Sequence, residues 1–228
     1  MKKVWVVGDY SQAEARVVAW QGPVPALKTW FQTGEDCHLN VAKLIGKIVQ
    51  EHKIEMPRKL WMTKSWKDLT DKDPERQIGK NSVHSNNYEV GREKFALITG
   101  LPVKYAGMIQ EIYHGLFPEI KGNYQKDIIA QLHKDKTLKN PLGWERVFYD
   151  QLGPELYRAG FAWIPQPTVG LLLVQTLWKC CEVFKSVKDI EILTPENIRS
   201  AGFDIQLQSH DSVNIACPDD PETINFVC

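Results

Sequence analysis

The chain has 228 residues and a mass of 26.1 kDa, and its 28 basic and 28 acidic residues give a formal net charge of zero. That length is sufficient for a sizeable core in one or two domains. A zero net charge is unusual for a protein that must hold a nucleic-acid duplex, although basic residues outnumber acidic ones between Lys43 and Lys80.

The first predicted element is a strand that ends at a carboxylate. Residues 4–7 form an apolar run rich in β-branched side chains, which is typical of a buried strand. Gly8 ends the run, so Asp9 lies where the strand leaves the sheet and its carboxylate can face a cleft. A solvated strand end or a helix N-cap would place an Asp here as well, and the run by itself does not distinguish these cases.

Glycine, proline and cap residues divide the following chain into helices. Residues 22–25 break the helix that follows Asp9, Gly34 ends the next helix, and Asp36 is a predicted N-cap for a helix to about Ile48. Residues 53–74 are predicted to form a loop or short helices. Further helices are predicted at 75–91, 93–99, 103–115, 119–135 and 169–187, with a strand at 144–149. Helices with a few antiparallel strands indicate the α+β class.

A helical stripe combines two cations, an imidazole and a phenol. Arg76, Lys80, His84 and Tyr88 lie four residues apart, so on an α-helix they form one slowly drifting line about 18 Å long. Arg and Lys bind phosphate groups, and aromatic rings stack on sugars and bases. The stripe therefore fits a triphosphate at one end and a base at the other. The alternative is a solvated basic helix face.

A second strand-end carboxylate is predicted near the end of the sequence. Apolar and polar residues alternate over 203–208, residues 209–212 interrupt the pattern, and the alternation resumes from Val213. This pattern predicts a β-hairpin with His210 and Asp211 at its tip. If the two strands are neighbours, Asp9 and Asp211 can share divalent cations, as phosphoryl transfer requires.

These motifs resemble those of family A DNA polymerases, the DNA polymerase I class. The first palm motif of that family is Asp-Tyr-Ser-Gln-x-Glu-x-Arg, and residues 9–16 match every fixed position. The fingers-helix motif is met by Arg76, Lys80 and Tyr88, with His84 where Phe or Tyr is usual. The last motif, His-Asp-Glu, corresponds to residues 210–212, with Ser in place of Glu. The resemblance spans roughly residues 1–217.

The resemblance implies an antiparallel palm sheet that carries the metal carboxylates, with a mostly helical fingers subdomain inserted and no thumb or exonuclease domain. We expect palm at residues 1–35 and 140–228, and fingers at 36–139. Family members with all domains are more than twice as long. We therefore expect a fragment, or one product of a split phage-type gene whose second polypeptide supplies the thumb and exonuclease-like domains.

The activity implied by the resemblance is template-directed DNA synthesis, in which deoxynucleotides are added to a primer 3′-hydroxyl and pyrophosphate is released. The implied partners are a DNA primer-template and deoxynucleoside triphosphates. Asp9, Asp211 and the carbonyl of Tyr10 would hold two Mg²⁺ ions, since this cation prefers oxygen ligands. Lys80 would neutralise phosphate charge with Arg76 and protonate the leaving pyrophosphate.

The other implied roles follow the same motifs. Glu14 would lie under the sugar and exclude a 2′-hydroxyl, and Tyr88 would lie beside the template base. His38 matches an additional phosphate contact, and it is equally well explained as a helix-start His. The implied nucleotide-binding set is Arg76, Lys80, His84, Tyr88, Glu14, Gln12, His38 and Tyr10, and the implied primer-template set is Gln166, Arg158 and His210.

Two other functions fit parts of the pattern. A catalytically silent nucleic-acid-binding or assembly subunit could keep the fold, but it has no physical need for Asp9, Asp211 and Lys80 together. A single-subunit RNA polymerase or another two-metal nucleotidyl enzyme is the second alternative. Glu14 argues against an RNA polymerase, because that enzyme must admit the 2′-hydroxyl.

The cysteines and the apolar runs of the sequence indicate the cellular compartment. The five cysteines include no Cys-x-x-Cys pair, which predicts reduced thiols rather than a disulfide framework or a cysteine metal site. The start of the chain is too short for a signal peptide, and no apolar run approaches membrane length. We expect a cytoplasmic protein without a membrane partner, or one in the host cytoplasm if the gene is viral.

Overall fold

The computed structural model describes residues 3–54, 64–187, 194–200, 204–209 and 212–219. The chain divides into two compact units. The first unit comprises Met1–Ala13 and Gln166–Cys228, and the second comprises Glu14–Pro165. The palm and fingers boundaries expected from the sequence stay a prediction.

The described residues form a mostly helical chain with two small antiparallel sheets. They include a short 3₁₀ helix at Trp66–Asp68 and a π-helical segment at Ile120–Gln125. None of the helices in the described ranges is long and apolar enough to cross a membrane. In chain order the elements are β1 (Lys3–Asp9), α1 (Ala13–Gln21), α2 (Pro25–Gln32), α3 (Cys37–Glu51), α4 (Pro74–Asn87), α5 (Arg92–Thr99), α6 (Val103–Leu116), α7 (Lys126–Asp135), β2 (Thr137–Lys139), β3 (Glu145–Val147), α8 (Pro154–Trp163), α9 (Pro165–Val187), α10 (Pro195–Ser200), β4 (Asp204–Ser209) and β5 (Ser212–Pro218).

Most of the predicted elements are present. Helix α3 begins after Asp36, whose Oδ1 accepts a hydrogen bond from the Leu39 amide at 3.0 Å, so the predicted N-cap is confirmed. The predicted hairpin is confirmed by the antiparallel pairing of β4 with β5, in which Ser209 lies opposite Ser212. Helices α8 and α10 and strand β2 were not predicted.

The sheet of the first unit has the strand order β1-β5-β4. Strand β1 pairs antiparallel with β5, with Val6 opposite Ile215. Val6 and Ile215 pack with Leu173 of α9 in the core of this unit. One face of the sheet is therefore covered by a helix.

The expectation that β1 is a buried strand was wrong. Trp5 is 59% exposed and Val7 is 63% exposed, although both belong to the apolar run. Successive side chains of a strand point to opposite faces, and only alternate residues of β1, namely Val4 and Val6, belong to the apolar core of this unit. Within the described chain, β5 is the only strand that pairs with β1.

Helices α3 and α4 of the second unit cross at a glycine. A Cβ at Gly79 would lie 2.1 Å from the carbonyl oxygen of His38 and 3.0 Å from the amide nitrogen of Ala42. Only glycine permits this approach, which brings the backbone of α4 against the backbone of α3. Side chains near this crossing contact one another, as in the ion pair of Arg76 with Asp36 and the ring contact of His84 with His38.

Helix α4 ends in a left-handed residue that is not glycine. Glu89 has φ +55°, the Glu89 amide donates to the Asn86 carbonyl at 3.3 Å, and the Val90 amide donates to the Ser85 carbonyl at 2.8 Å. These two hydrogen bonds form a Schellman motif, in which glycine is the usual left-handed residue. The motif ends helix α4 at its C-cap residue Tyr88, which is the last residue of the stripe.

Candidate active site

Asp9, Tyr10 and Gln12 belong to the first unit. Asp9 ends β1 and is exposed, and in the pairing register it lies opposite Ser212 of β5. The two strands expected to carry the carboxylates are therefore neighbours. His210 and Asp211 lie outside the described residues, so the proximity of Asp9 and Asp211 stays a prediction. In the described ranges, no group of three or more His, Cys, Asp or Glu has a metal-binding arrangement.

Tyr10 lies between β1 and α1, and both its hydroxyl and its backbone carbonyl form hydrogen bonds. Its hydroxyl hydrogen-bonds the hydroxyl of Thr176 on α9, and Thr176 in turn donates to the Leu172 carbonyl at 3.0 Å. The Tyr10 carbonyl accepts from the Ala13 amide at 3.2 Å. A carbonyl oxygen has two lone pairs, so this oxygen can also take a further donor or a cation.

The predicted stripe lies on α4 in the second unit. Arg76, Lys80 and His84 are within the helix, and Tyr88 is its C-cap residue. Three of the four contact acidic or imidazole side chains of α1 and α3, so they share the face of α4 that packs against these helices. The four residues therefore form a line on one helix face, as their spacing predicts.

Two residues of the stripe contact one carboxylate oxygen of Glu14 in α1. It is only 9% exposed. The Tyr88 hydroxyl donates a hydrogen bond to Glu14 Oε2, and His84 Nδ1 lies 3.6 Å from the same oxygen. Burial and the neighbouring Glu14 carboxylate raise the pKa of Tyr88 well above its usual value, so Tyr88 remains a hydrogen-bond donor.

His38 of α3 is buried beside His84. It is 3% exposed, and its ring centroid lies 5.7 Å from that of His84. Both of its ring nitrogens are buried without a hydrogen-bond partner among the described residues. Burial, with the neighbouring His84 as a further cause, lowers the pKa of His38 to about 3, so its ring is neutral near pH 7. A buried polar ring without partners is costly unless a ligand satisfies it.

The two cations of the stripe differ in how they are held. Arg76 is held by Asp36, whose Oδ2 lies 2.7 Å from both Nε and an Nη of the guanidinium. Burial raises the pKa of Asp36, but the Leu39 amide and Arg76 outweigh it and hold the pKa below its usual range. Lys80 is exposed and forms no ion pair within the described ranges.

Arg158 lines a cleft in the second unit that the sequence did not predict. The cleft has a volume of about 770 Å³, and four basic or imidazole groups line it, namely Arg158 of α8, Lys121 of the π-helical segment, Arg92 of α5 and His114 of α6. The acidic side chains of Glu89 and Glu111 line it as well, and Arg92 forms an ion pair with Glu111 at 3.1 Å. Burial, and then Lys121, lowers the pKa of His114 to about 4. These four groups come from four elements, so no local spacing in the sequence could have indicated them.

The predicted site residues divide between the two units. Gln12 has φ +57° in the turn before α1, and Gln166 is exposed at the start of α9. Both belong to the first unit. The stripe, Glu14, His38 and Arg158 belong to the second unit.

Comparison with known proteins gives a structural match. No protein-family model and no curated protein matches the sequence. The structure is similar to the POL domain of Pol1 from M. smegmatis in complex with DNA primer-template and dNTP, with a TM-score of 0.67 and 21% sequence identity. The chain therefore shares the fold of the part of that POL domain that it matches. The match covers 98% of this chain and 35% of that chain, so the chain spans about a third of its neighbour's length.

Proposed function

We propose that this chain carries out template-directed DNA synthesis as a fragment or split subunit of a DNA polymerase. The observation that supports this function best is the contact of Glu14 with Tyr88 and His84 on the helix face that also carries Arg76 and Lys80. The Glu14 carboxylate lies beside His84 and Tyr88, and Lys80 and Arg76 lie one and two helical turns before His84. This arrangement suits the sugar, base and phosphates of one nucleotide. The polymerase-like fold agrees with this function.

Asp9, Asp211 and the Tyr10 carbonyl would hold two Mg²⁺ ions. The donor set fits, because all three are oxygen ligands and Asp9 is exposed at the end of β1, next to the strand that follows Asp211. When bound, the ions supply charge neutralisation at the triphosphate and make the primer 3′-hydroxyl easier to deprotonate.

The cations of α4 would bind the triphosphate. Lys80 is exposed and free of described ion pairs, so it can reach phosphate oxygens and deliver a proton to the leaving pyrophosphate. Arg76 would share its guanidinium between Asp36 and phosphate, since its fork has five donors. His38 would donate a ring N–H to a phosphate oxygen, which would satisfy one of its two unpartnered nitrogens.

The first test is primer extension with Mg²⁺ and four deoxynucleotides, with and without a second polypeptide that supplies the thumb and exonuclease-like domains. We expect weak extension by the chain alone and a strong gain with that polypeptide. Lys80→Ala should lower the rate about 100-fold or more, whereas Lys94→Ala, an exposed lysine of α5, should leave it unchanged. Primer-template binding without any incorporation would instead favour a catalytically silent subunit.

The second test concerns the choice of sugar. Glu14→Ala should remove the carboxylate that Tyr88 and His84 hold and open space for a ribose hydroxyl. We expect the ratio of ribonucleotide to deoxynucleotide incorporation to rise at least about tenfold, which corresponds to about 1.4 kcal/mol. Single-nucleotide incorporation kinetics measure this ratio, and an unchanged ratio in an active preparation would show that Glu14 does not select the sugar.

A further inference from the structure

We infer that Gln125 is a positioning residue that holds the C-terminal end of α4 and thereby positions Tyr88 for the nucleotide. Gln125 is the last residue of the π-helical segment and is only 4% exposed. Its side-chain amide nitrogen donates to the backbone carbonyls of Asn86 at 2.9 Å and Asn87 at 3.1 Å, the two residues before Tyr88. The effect on nucleotide binding rests on the proposed function, whereas the hold on α4 does not.

The carbonyls at the end of α4 need donors from outside the helix. The last four carbonyls of an α-helix have no amide partner within it. The Schellman motif supplies one donor, since the Glu89 amide donates to the Asn86 carbonyl at 3.3 Å, but the hydrogen bond from Gln125 to that carbonyl is shorter. Gln125 also donates to the carbonyl of Asn87, the last residue of the helix. Gln125 therefore caps α4 directly before Tyr88.

The side chain of Asn87 is held as well. The Tyr113 hydroxyl of α6 donates to Asn87 Oδ1 at 2.9 Å. Tyr113 is fully buried and Asn87 is 2% exposed. Because these contacts are buried, water cannot readily replace a missing donor, and an unpaired carbonyl would be costly. The end of α4 therefore depends on donors from two other elements, α6 and the π-helical segment.

The π-helical segment is itself anchored, which a positioning residue requires of its own backbone. The Tyr124 hydroxyl donates to the Phe161 carbonyl of α8, and Asn123 Nδ2 donates to the Gly22 carbonyl between α1 and α2 at 3.2 Å. A Cβ at Gly22 would lie 2.8 Å from Tyr124 Cβ, so the two backbones are in close contact. Short π-helical segments are rare and frequently lie at functional sites.

Loss of the Gln125 donor should loosen one end of the stripe and leave the other end in place. Tyr88 directly follows the capped residues. Lys80 and Arg76 lie about two and three turns earlier, and Arg76 is held by Asp36. We therefore expect weaker binding at the sugar and base end of the nucleotide, with proton transfer at the phosphate end unchanged.

The kinetic test is single-nucleotide incorporation by Gln125→Met, which keeps a similar length but has no N–H donor. We expect the KM for the deoxynucleotide to rise about threefold to tenfold, the range for one lost hydrogen bond, with kcat unchanged. Gln131→Met of α7 is the matched control and should change neither value, because Gln131 bonds Asp135 of its own helix. A loss confined to kcat is what a less stable fold would give. That result, or an unchanged KM, would overturn the inference.

Hydrogen exchange needs no catalysis and separates the inference from the proposed function. In Gln125→Met the amides of Tyr88, Glu89 and Val90, which close the last turn of α4, should exchange at least about threefold faster. Amides in the middle of α3 should keep their rates. Equal acceleration in both helices, or none at Tyr88, would refute the hold on α4. If no variant incorporates a nucleotide, the proposed function fails and the exchange rates still decide whether Gln125 holds α4.

The unmodified chain offers a measurement that does not depend on the folding of a variant. The side-chain amide protons of Gln125 should exchange at least about tenfold more slowly than those of Gln131. Gln125 is buried and donates to two carbonyls, whereas the hydrogen bonds of Gln131 to Asp135 are exposed. NMR measures both rates in one sample. Equal rates would show that Gln125 does not hold these carbonyls.

Discussion

His38 combines two properties that are costly for a folded protein. Its ring is almost completely buried, and neither ring nitrogen has a hydrogen-bond partner among the described residues. An unpaired buried polar group costs about 1–3 kcal/mol. A residue retained at such a cost is a candidate for ligand binding, which agrees with the phosphate contact proposed above.

The burial of His38 predicts how stability depends on pH. The folded chain binds the His38 proton with a pKa of about 3, below the ordinary value of 6.5. Between these pH values the unfolded chain binds more protons, so the contribution is fully present above about pH 6.5 and is lost as the pH falls. One such proton changes the free energy of unfolding by at most about 1.4 kcal/mol per pH unit.

The measurement is urea unfolding from pH 4.5 to pH 6.5. His38→Gln should flatten the pH dependence of the unfolding free energy, whereas the same change at exposed His52 should not. His114, whose pKa is about 4, leaves a residual slope in both variants. Equal slopes in His38→Gln and the unmodified chain would contradict the burial of a neutral His38.

Local sequence patterns predicted part of the site, but they could not predict contacts between residues that are far apart in the sequence. The four-residue spacing of the stripe and the N-cap at Asp36 are properties of single helices, so the sequence contains them directly. The contact between Glu14 and Tyr88 joins residues 74 positions apart. No periodicity encodes such a contact, and only the resemblance to a known family indicated Glu14.

At the scale of elements, the close crossing of α3 and α4 depends on Gly79, which has no side chain. Gly79→Ala would place a methyl group 2.1 Å from the His38 carbonyl oxygen, and that neighbour is backbone rather than a flexible side chain. We expect a loss of about 1–3 kcal/mol in the free energy of unfolding from overpacking. Denaturant unfolding measures this loss.

Gly115 is the matched control for this prediction. It also lies within a helix, α6, but a Cβ there would meet nothing within 4 Å. Gly115→Ala should therefore raise the free energy of unfolding by about 0.4–1 kcal/mol, because alanine favours the helix. Similar changes in both variants would show that the helix crossing does not require glycine.

The elements that the sequence misassigned share a physical cause. Strand β1 has an entirely apolar run, but alternation and position in the sheet decide which of its side chains are covered, as exposed Trp5 and Val7 show. Strand β2 has three residues, too few for an alternation to appear. Its pairing with β3 is a tertiary contact rather than a local preference.

At the scale of the whole molecule, a net charge of zero limits nucleic-acid binding. Affinity for duplex DNA falls with salt in proportion to the number of phosphates neutralised, with a logarithmic slope of about −0.9 for each. We expect weak binding of primer-template that falls about tenfold between 50 and 200 mM salt for every two phosphates contacted. Fluorescence anisotropy at several salt concentrations measures the slope.

The cleft in the second unit supplies the variant for this experiment. If Arg158 contacts a phosphate, Arg158→Ala should make the slope shallower by about 0.9, and Lys94→Ala should leave it unchanged. The same slope in both variants would show that the cleft does not contact DNA. A steep slope in the unmodified chain would show that charge distribution outweighs the zero total.

The backbone contact at Gly79 also governs how this part of the molecule can move. With no side chain between α3 and α4 at their crossing, the helices have no layer that could repack and let one slide over the other. Any displacement of α4 must carry α3 with it. We therefore expect the backbone positions of Arg76, Lys80 and His38 to keep their spacing before a nucleotide binds.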